Sequence, residues 1–247
     1  MDENFNQLTN ENLNYVTEQF KFRDDIEVKL VRSMASDDMV VQAAQVSAKG
    51  ENNPETTPVR LINSLMKHRH GSPFEHNAFT FFVKAPIFVF REWQRHRISS
   101  FNEMSGRYTE LLPEFYIPGV RKMLNLGTKM EPRFVYDRNG SGNIFRESLE
   151  SSCIKAWADY QEALSDDIAN EVARMILPVN VYSQMYWTVN ARSLMNFLSL
   201  RVQSEDSLVT SYPQWEIQMG AEQIESYFKE AMPLTHECFV KNGRVAP

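Results

Sequence analysis

The chain has 247 residues, enough for one large domain or two small ones and for a sizeable hydrophobic core. Its formal net charge of -6 argues against a protein that coats nucleic acid, and no apolar run is long enough to span a membrane. Cys153 and Cys238 are too few and too far apart for a disulfide framework, and the acidic, polar N-terminus does not resemble a secretory signal. We therefore expect a cytoplasmic globular protein.

Apolar and polar residues alternate in patterns that predict both helices and strands. Residues 1–25 are rich in Asn, Glu and Asp, and they are predicted to form an N-terminal extension that is partly helical or loosely ordered. Strands are predicted at 26–32, 78–84 and 179–187, and helices at 36–47, 58–67, from Pro86 onwards, at 144–165, 167–177, 191–202 and 213–232, and briefly at the end. Because no interdomain linker is visible, residues 26–247 are predicted to form a single α+β domain.

The stretch 91–108 carries the strongest chemical signal. It contains four arginines, one histidine and a Ser-Gly-Arg turn, and it directly follows the apolar run 85–90. On the predicted helix, Arg91 and Arg95 would share one face. Buried guanidinium groups need anionic partners, and a serine hydroxyl, a glycine amide and an arginine suit phosphate oxygens. The stretch therefore predicts a pocket for a phosphate-bearing ligand, against the alternative of a surface ladder of ion pairs.

The nearly apolar segment 191–202 contains a few polar residues that need partners if the helix is buried. Arg192 and Asn196 are one turn apart and share a face, whereas Arg201 lies well round the helix from both. The alternative is a buried helix with incidental polar residues. Because these polar residues lie on two faces of the predicted helix, we expect Arg192 and Asn196 to contact one set of partners and Arg201 another.

Other kinds of site have less support. His68, His70 and His76 have a spacing that gives poor metal geometry, so no metal site is predicted, and both cysteines are interpreted as packing residues. Glycine-rich nucleotide-binding motifs do not occur, so a nucleotide or flavin would have to bind through arginines, asparagines and backbone amides. The alternative functions are a non-catalytic nucleotide- or RNA-binding module that uses the arginine cluster and, third, a metal hydrolase.

Several motifs resemble those of the flavin-dependent thymidylate synthases, in the family's order, over roughly residues 40–220. They are Arg95-His-Arg97 followed after seven residues by Ser105, Met66-Lys-His-x-His70, Pro73-Phe-Glu-His76, Phe82-Val-Lys-Ala-Pro-Ile-Phe-Val89, Asn102-Glu-x-Ser-Gly-Arg-Tyr108, Val172-Ala-Arg-x-x-Leu-Pro178 and Trp187-Thr-Val-Asn-Ala-Arg-Ser-Leu-Met-Asn-Phe-Leu198. The resemblance implies a single catalytic domain with a mixed or antiparallel sheet flanked by helices. It also implies conversion of dUMP to dTMP without a cysteine nucleophile, with methylenetetrahydrofolate as carbon donor and FAD reduced by NADPH. A homotetramer with active sites shared between subunits is implied as well.

Carried over residue by residue, the resemblance implies two sets of contacts. The FAD positions are Ser47, His70, Ser72, Arg95, His96, Arg97, Glu103, Asn190, Arg192 and Asn196. The dUMP positions are Glu92, Arg95, Glu103, Met104, Ser105, Gly106, Arg107, Arg174 and Arg201. Arg201 is the predicted catalytic residue, since its family counterpart promotes ionisation of uracil N3. Tyr108 is expected to cover the site, and the halves 92–97 and 103–107 to serve different active sites of an oligomer.

Overall fold

A computed structural model describes residues 20–46, 57–121, 124–129, 132–137 and 139–247. The predicted FAD residue Ser47 and residues 1–19 of the predicted extension lie outside these ranges. The chain groups into two compact units. Unit 1 is drawn from Met1–Asp25, Pro86–Phe88 and Met104–Ser183, and unit 2 from Ile26–Ala85, Val89–Glu103 and Gln184–Pro247. A single catalytic domain over 26–247 stays a prediction.

The described residues form both helices and strands. The α-helices are α1 (Asp37–Val46), α2 (Pro58–Lys67), α3 (Ile87–Trp93), α4 (Ser141–Ser165), α5 (Asn170–Ala173), α6 (Ala191–Arg201), α7 (Trp215–Ala231) and α8 (Pro233–Lys241), with 3-10 helices at Ser72–His76 and Arg174–Ile176. The strands are β1 (Lys21–Arg23), β2 (Glu27–Ser33), β3 (Ala78–Pro86), β4 (Ser100–Glu103), β5 (Glu114–Tyr116), β6 (Leu124–Asn125), β7 (Phe134–Val135) and β8 (Tyr182–Asn190). None of the helices in the described ranges has the length and apolar character needed to cross a bilayer.

Unit 2 is built on a four-stranded sheet in the order β2-β3-β8-β4. β2 pairs antiparallel with β3, and β4 pairs antiparallel with β8. Alternate residues of β3 are buried, and Phe81 packs on Trp187 of β8 with ring centroids 5.9 Å apart. Phe79 meets Phe228 of α7 edge to face. The predicted α+β class, with an antiparallel sheet and flanking helices, is confirmed.

Unit 1 has its core on one side of the long helix α4. Phe115 of β5 lies edge to face with Trp157, and Tyr160 packs beside Trp157. β1 pairs parallel with β5, and Phe20 stacks on Phe115. Residues 21–23, predicted to be helical or loosely ordered, therefore form a strand, because Phe22 packs partly buried against this core.

The start of the stretch 91–108 differs from the prediction. β3 continues to Pro86, so the prediction that Pro86 opens a helix is wrong; a proline is tolerated at a strand end, where its missing N–H need not join the ladder. α3 has only seven residues and ends at Trp93. Beyond it the Arg95 N–H donates to the Glu92 carbonyl at 3.3 Å, in a turn. Arg91 and Arg95 consequently do not share a helix face.

The start of α4 and the region after it also differ from the predicted helices at 144–165 and 167–177. The helix begins at Ser141 instead of residue 144, after Gly140 with a left-handed φ of 78°. The helix predicted at 167–177 is replaced by α5 and a 3-10 helix. Asp167 has a φ of 61°, which a right-handed helix cannot accommodate, so α4 ends before it.

The remaining differences are shifts and short elements. The strand predicted at 179–187 lies three residues later as β8, and the helix predicted from 213 begins at Trp215. Strands β4, β5, β6 and β7 were not predicted, because each has only two to four residues, too few for a clear alternation.

A buried group of charges links α7, α8 and the segment after α8. The Arg244 guanidinium donates to both carboxylate oxygens of Glu225, at 2.7 and 2.8 Å. His236 Nε2 lies 2.8 Å from the same carboxylate. Burial alone would raise the pKa of Glu225, but the hydrogen bonds with His236 and Arg244 outweigh it and lower the pKa to about 2.

This group predicts a specific loss of stability in acid. Because the folded-state pKa of Glu225 lies below its ordinary value of 4.5, the unfolded chain binds the proton first as the pH falls. The stabilisation is therefore fully present above pH 4.5 and is lost as the pH falls towards 2. Urea denaturation of the wild type and of Glu225→Gln should give a difference in unfolding free energy that narrows through this window. A difference that stays constant throughout it would contradict the assignment.

Candidate active site

Arg201, the last residue of α6, is held by two of the other predicted site residues. Its Nε donates to His96 Nε2 at 3.1 Å, and its Nη1 donates to Glu92 Oε2 at 2.6 Å. Its side chain is only 18% exposed. Glu92 comes from the last turn of α3, and His96 from the loop that follows. The end of α3 at Trp93 therefore places both partners beside the end of α6.

The imidazole of His96 is a neutral acceptor in this group. Burial, followed by the positive charge of Arg201, lowers the pKa of His96 from 6.5 to about 4. A neutral imidazole that accepts at Nε2 carries its proton on Nδ1. The ring also meets Phe197 edge to face, with centroids 4.8 Å apart. Arg201 is thus fixed in direction by one neutral group and one carboxylate.

Arg192, at the other end of α6, contacts a different set of residues, as its predicted face implies. Its Nη1 donates to Glu75 at 2.6 Å, and its Nε donates to the Pro247 main-chain oxygen at 2.7 Å. The side chain lies so close to Gly71 that an added Cβ there would clash with Arg192 Nε. Arg192 is therefore next to the turn that carries the predicted residues His70 and Ser72.

Among the other predicted flavin residues of unit 2, Asn190 and Glu103 make hydrogen bonds to neighbouring residues and several others are exposed. Asn190 caps α6, because its Oδ1 accepts from the Ser193 N–H at 2.8 Å. Glu103 accepts from Gln94 at 3.1 Å. The exposed members of the set are His70, Ser72, Arg95, Arg97 and Asn196. Within unit 2 the structure thus brings together Arg201, His96 and Glu92, and separately Arg192 and the 70–72 turn.

The predicted dUMP residues 104–107 and Arg174 lie in unit 1. Ser105 Oγ accepts from the Arg107 N–H at 3.3 Å. Gly106 is buried, and a Cβ added to it would lie 3.3 Å from Arg174 Cδ. The Arg107 guanidinium donates to Glu171 at 2.8 Å. The turn and Arg174 therefore meet within this unit, with two exposed guanidinium groups. Met104 packs against the apolar core of the same unit.

Three acidic or amide partners were not recognised in the sequence. Glu75 pairs with Arg192 across 117 residues, and Glu171 pairs with Arg107 across 64, so sequence spacing gives no signal for either. Gln94 is nine residues from Glu103 and lies within the stretch that was singled out, but no role was inferred for it. Tyr108 is 78% exposed, and the Arg107 guanidinium lies 5.3 Å from its ring centroid. Its covering of the site stays a prediction.

The two thiols are packed in the interior. Cys153 and Cys238 are free and buried, and burial raises the pKa of each. Both therefore remain protonated near neutral pH. In the part of the chain that the structure describes, no three His, Cys, Asp or Glu residues are grouped so that they could hold a metal ion.

Comparisons with known proteins cover nearly the whole chain. The profile of the thymidylate synthase complementing protein family matches residues 29–234. The chain is 50% identical over 237 residues to a flavin-dependent thymidylate synthase of Streptomyces coelicolor, covering 93% of this chain and 96% of that protein. It is 48% identical to one from Tropheryma whipplei, covering 92% and 97%. The crystal structure of a UMP/dUMP methylase, PolB, from Streptomyces cacaoi bound with 5-Br UMP superposes with a TM-score of 0.87 at 45% identity, covering 93% of this chain and all of that one.

Proposed function

Since this chain belongs to the family of the flavin-dependent thymidylate synthases, we propose that it converts dUMP to dTMP by reductive methylation. The observation that carries the proposal is the pairing of Arg201 with His96 and Glu92, which holds a guanidinium in a sheltered place. The similarity to a methylase bound with a brominated uridine nucleotide supports a uracil nucleotide as substrate. No thiol is required as nucleophile in this proposal.

The donors around Arg192 fit an anionic, polyhydroxylated cofactor such as FAD. Arg192 keeps Nη2 without a partner among the described residues, and its side chain is 46% exposed. Gly71 leaves the space that the Arg192 side chain occupies, and Ser72 adds an exposed hydroxyl. We assign FAD to this set, together with the other predicted positions, which are Ser47, His70, Arg95, His96, Arg97, Glu103, Asn190 and Asn196. When bound, FAD supplies the hydride for the reductive step.

The turn in unit 1 fits the nucleotide phosphate. The Ser105 hydroxyl, the backbone at Gly106 and two exposed guanidinium groups offer hydrogen-bond donors and positive charge. Arg107 would exchange its carboxylate partner Glu171 for the phosphate. Both members of that pair are about half exposed, so it is worth little in water and its loss is inexpensive.

Replacing Arg174 should therefore weaken substrate binding more than turnover. A charge-assisted hydrogen bond is worth about 1.5–3 kcal/mol, so Arg174→Ala should raise KM for dUMP roughly 10- to 100-fold. Lys155→Ala, which removes another exposed cation of the same unit, is the matched control and should leave KM unchanged. An unchanged KM in Arg174→Ala, measured by steady-state kinetics, would remove Arg174 from the phosphate site.

The residues around the uracil ring would act through charge. The Arg201 guanidinium would stabilise negative charge that develops on the pyrimidine, a contribution that is large where water is excluded. Glu92 and His96 would hold that guanidinium in place, so it need not reorient during the reaction. The remaining dUMP positions, Arg95, Glu103 and Met104, are assigned to the same nucleotide by the family resemblance.

We further assign methylenetetrahydrofolate as carbon donor, NADPH as reductant, the cytoplasm as location, and a homotetramer with shared active sites as assembly. Support for assembly comes from the outer face of the unit 2 sheet, where Phe82 meets Tyr186 edge to face and Tyr186 is 50% exposed. Exposed aromatic surface of this kind is suited to a contact between subunits. Sedimentation at the mass of a monomer, with FAD bound, would contradict the tetramer.

Tritium release from dUMP labelled at C5 tests the function directly. The protein, supplied with FAD, NADPH and methylenetetrahydrofolate, should release tritium and form dTMP. Omitting each component in turn should abolish dTMP formation. Binding of dUMP and FAD without any turnover under these conditions would overturn the proposed reaction and leave a nucleotide-binding module.

A further inference from the structure

The segment 243–247, the C-terminal strap, lies against Arg192 of the proposed flavin site and against Arg69, the residue before His70. We infer that the strap is a positioning element of that site: its main-chain oxygens hold Arg192 in its binding orientation and fix Arg69, which precedes His70. The inference rests on the proposed function, because it takes the ligand of Arg192 to be FAD.

Two main-chain oxygens of the strap accept hydrogen bonds from these arginines. Arg192 Nε donates to the Pro247 oxygen at 2.7 Å, and Arg69 Nη1 donates to the Ala246 oxygen. Arg69 stands directly before His70 and has a left-handed φ of 61°, so its backbone conformation is itself unusual. The strap thus joins the turn after α2 to the start of α6.

The strap is firmly anchored. Arg244 is 4% exposed, and both of its Nη atoms donate to Glu225. Its backbone N–H donates to the Phe239 carbonyl at 2.9 Å, and its guanidinium lies 5.2 Å from the Phe239 ring centroid. A bidentate pair that is largely buried fixes both position and direction. The oxygens beyond Arg244 therefore belong to a rigid support.

Gly243 connects the strap to the loop that follows Arg201. Its φ is 75°, and an added Cβ would lie 2.8 Å from Leu208 Cβ. Its carbonyl accepts from the Leu208 N–H at 2.9 Å. A residue with a side chain at position 243 would have a strained backbone and would approach Leu208 too closely. The strap therefore contacts Arg192 at the start of α6 and Leu208 in the loop that follows α6.

The contacts between the strap and Arg192 indicate that the strap supports this arginine and does not compete with FAD for it. Pro247 is buried, whereas the Arg192 side chain is about half exposed. The strap uses Nε and Glu75 uses Nη1, which leaves Nη2 for a ligand. A guanidinium is planar, so fixing two of its nitrogens also fixes the direction of the third. Pre-orienting a donor strengthens binding, because less freedom is lost when the ligand arrives.

Removing residues 245–247 tests this role. The truncated protein should bind FAD at least about 10-fold more weakly, as expected when charged donors lose fixed acceptors, while KM for dUMP at saturating FAD stays within about twofold of the wild type. The matched control is Val245→Ala, which alters a strap side chain but keeps the main chain, and it should bind FAD normally. FAD affinity is measured by flavin fluorescence titration.

Arg244→Lys provides a second test, since it keeps the charge but removes the two-pronged contact with Glu225. Its FAD affinity should also fall, with circular dichroism confirming that the chain is folded. Unchanged FAD affinity in folded truncated protein, or in folded Arg244→Lys, would overturn the inference. Tighter binding in either would show that the strap competes with FAD and would overturn it too. If the wild type itself fails to bind FAD, it is the proposed function that falls.

Discussion

Arg201→Ala should lower the rate of dTMP formation about 10²- to 10³-fold while FAD remains bound, as expected when a preorganised charge is removed from a reacting group. Arg201 is sheltered and directed by His96 and Glu92, so its guanidinium is already in place before substrate arrives. The flavin should be retained because Arg192 contacts Glu75 and Pro247, away from Arg201. Among the described residues assigned to FAD, His96 alone makes a hydrogen bond with Arg201, and its ring is unchanged in this variant.

Arg201→Lys is the matched control that separates the effect of the positive charge from the effect of the guanidinium geometry. A lysine keeps the positive charge, but it cannot donate to His96 and Glu92 with the planar fork of an arginine. Its activity should lie between those of the wild type and the alanine variant. The measurements are tritium release from labelled dUMP and the absorbance of bound flavin. Loss of flavin from Arg201→Ala would contradict the division between the two faces of α6.

That division is the part of the site that periodicity could predict. In a helix each residue advances by about 100°, so Arg192 and Asn196 share a face and Arg201 points elsewhere. The structure gives the two arginines separate partners at opposite ends of α6. The apolar residues between them bury the helix, which is why both polar ends need partners.

Identities of those partners could not be predicted from spacing. Glu75 is 117 residues from Arg192, and Glu92 is 109 residues from Arg201. Such pairs are fixed by how strands and helices pack, which local patterns do not encode. The stretch 91–108 did supply Glu92 and His96, but on a predicted helix that in fact ends at Trp93. The C-terminal strap carried no motif, because its contacts with Arg192 and Arg69 use main-chain oxygens and depend on no side-chain pattern.

The boundary between the two units falls within the stretch that looked like one pocket. Glu103 belongs to unit 2 and Met104 to unit 1. Residues 92–97 and 103 therefore lie with the residues assigned to flavin, while 104–107 lie with Arg174. On the sequence alone, residues 92–97 were expected to contact flavin and nucleotide and residues 103–107 to hold phosphate, so Glu103 is the one member of the predicted turn that lies in unit 2. An assembly in which the two parts serve different active sites stays a prediction, which the sedimentation measurement would test.

Trp93 shows how the core of unit 2 supports the proposed uracil site. It is fully buried, meets Trp187 edge to face at 5.4 Å and packs on Phe197 at 5.0 Å. Gly220 of α7 approaches it so closely that an added Cβ would lie 3.0 Å from the indole. Phe197 in turn contacts the His96 ring, so this cluster lies directly behind the group that directs Arg201.

Trp93→Ala should therefore lower the free energy of unfolding by about 3–5 kcal/mol, the cost of deleting a large aromatic side chain and leaving a cavity. Since whole domains are stable by about 5–15 kcal/mol, this is a large fraction of the total. Trp93→Phe is the matched control and should lower the free energy of unfolding by less. The Trp93 Nε1 has no hydrogen-bond partner among the described residues, so the substitution to phenylalanine removes no hydrogen bond. Urea denaturation followed by circular dichroism measures both, and a loss below about 1 kcal/mol for the alanine variant would contradict the packing argument. Because Phe197 would lose its support on one side, dTMP formation by the folded alanine variant should also fall, whereas in Trp93→Phe it should stay close to that of the wild type.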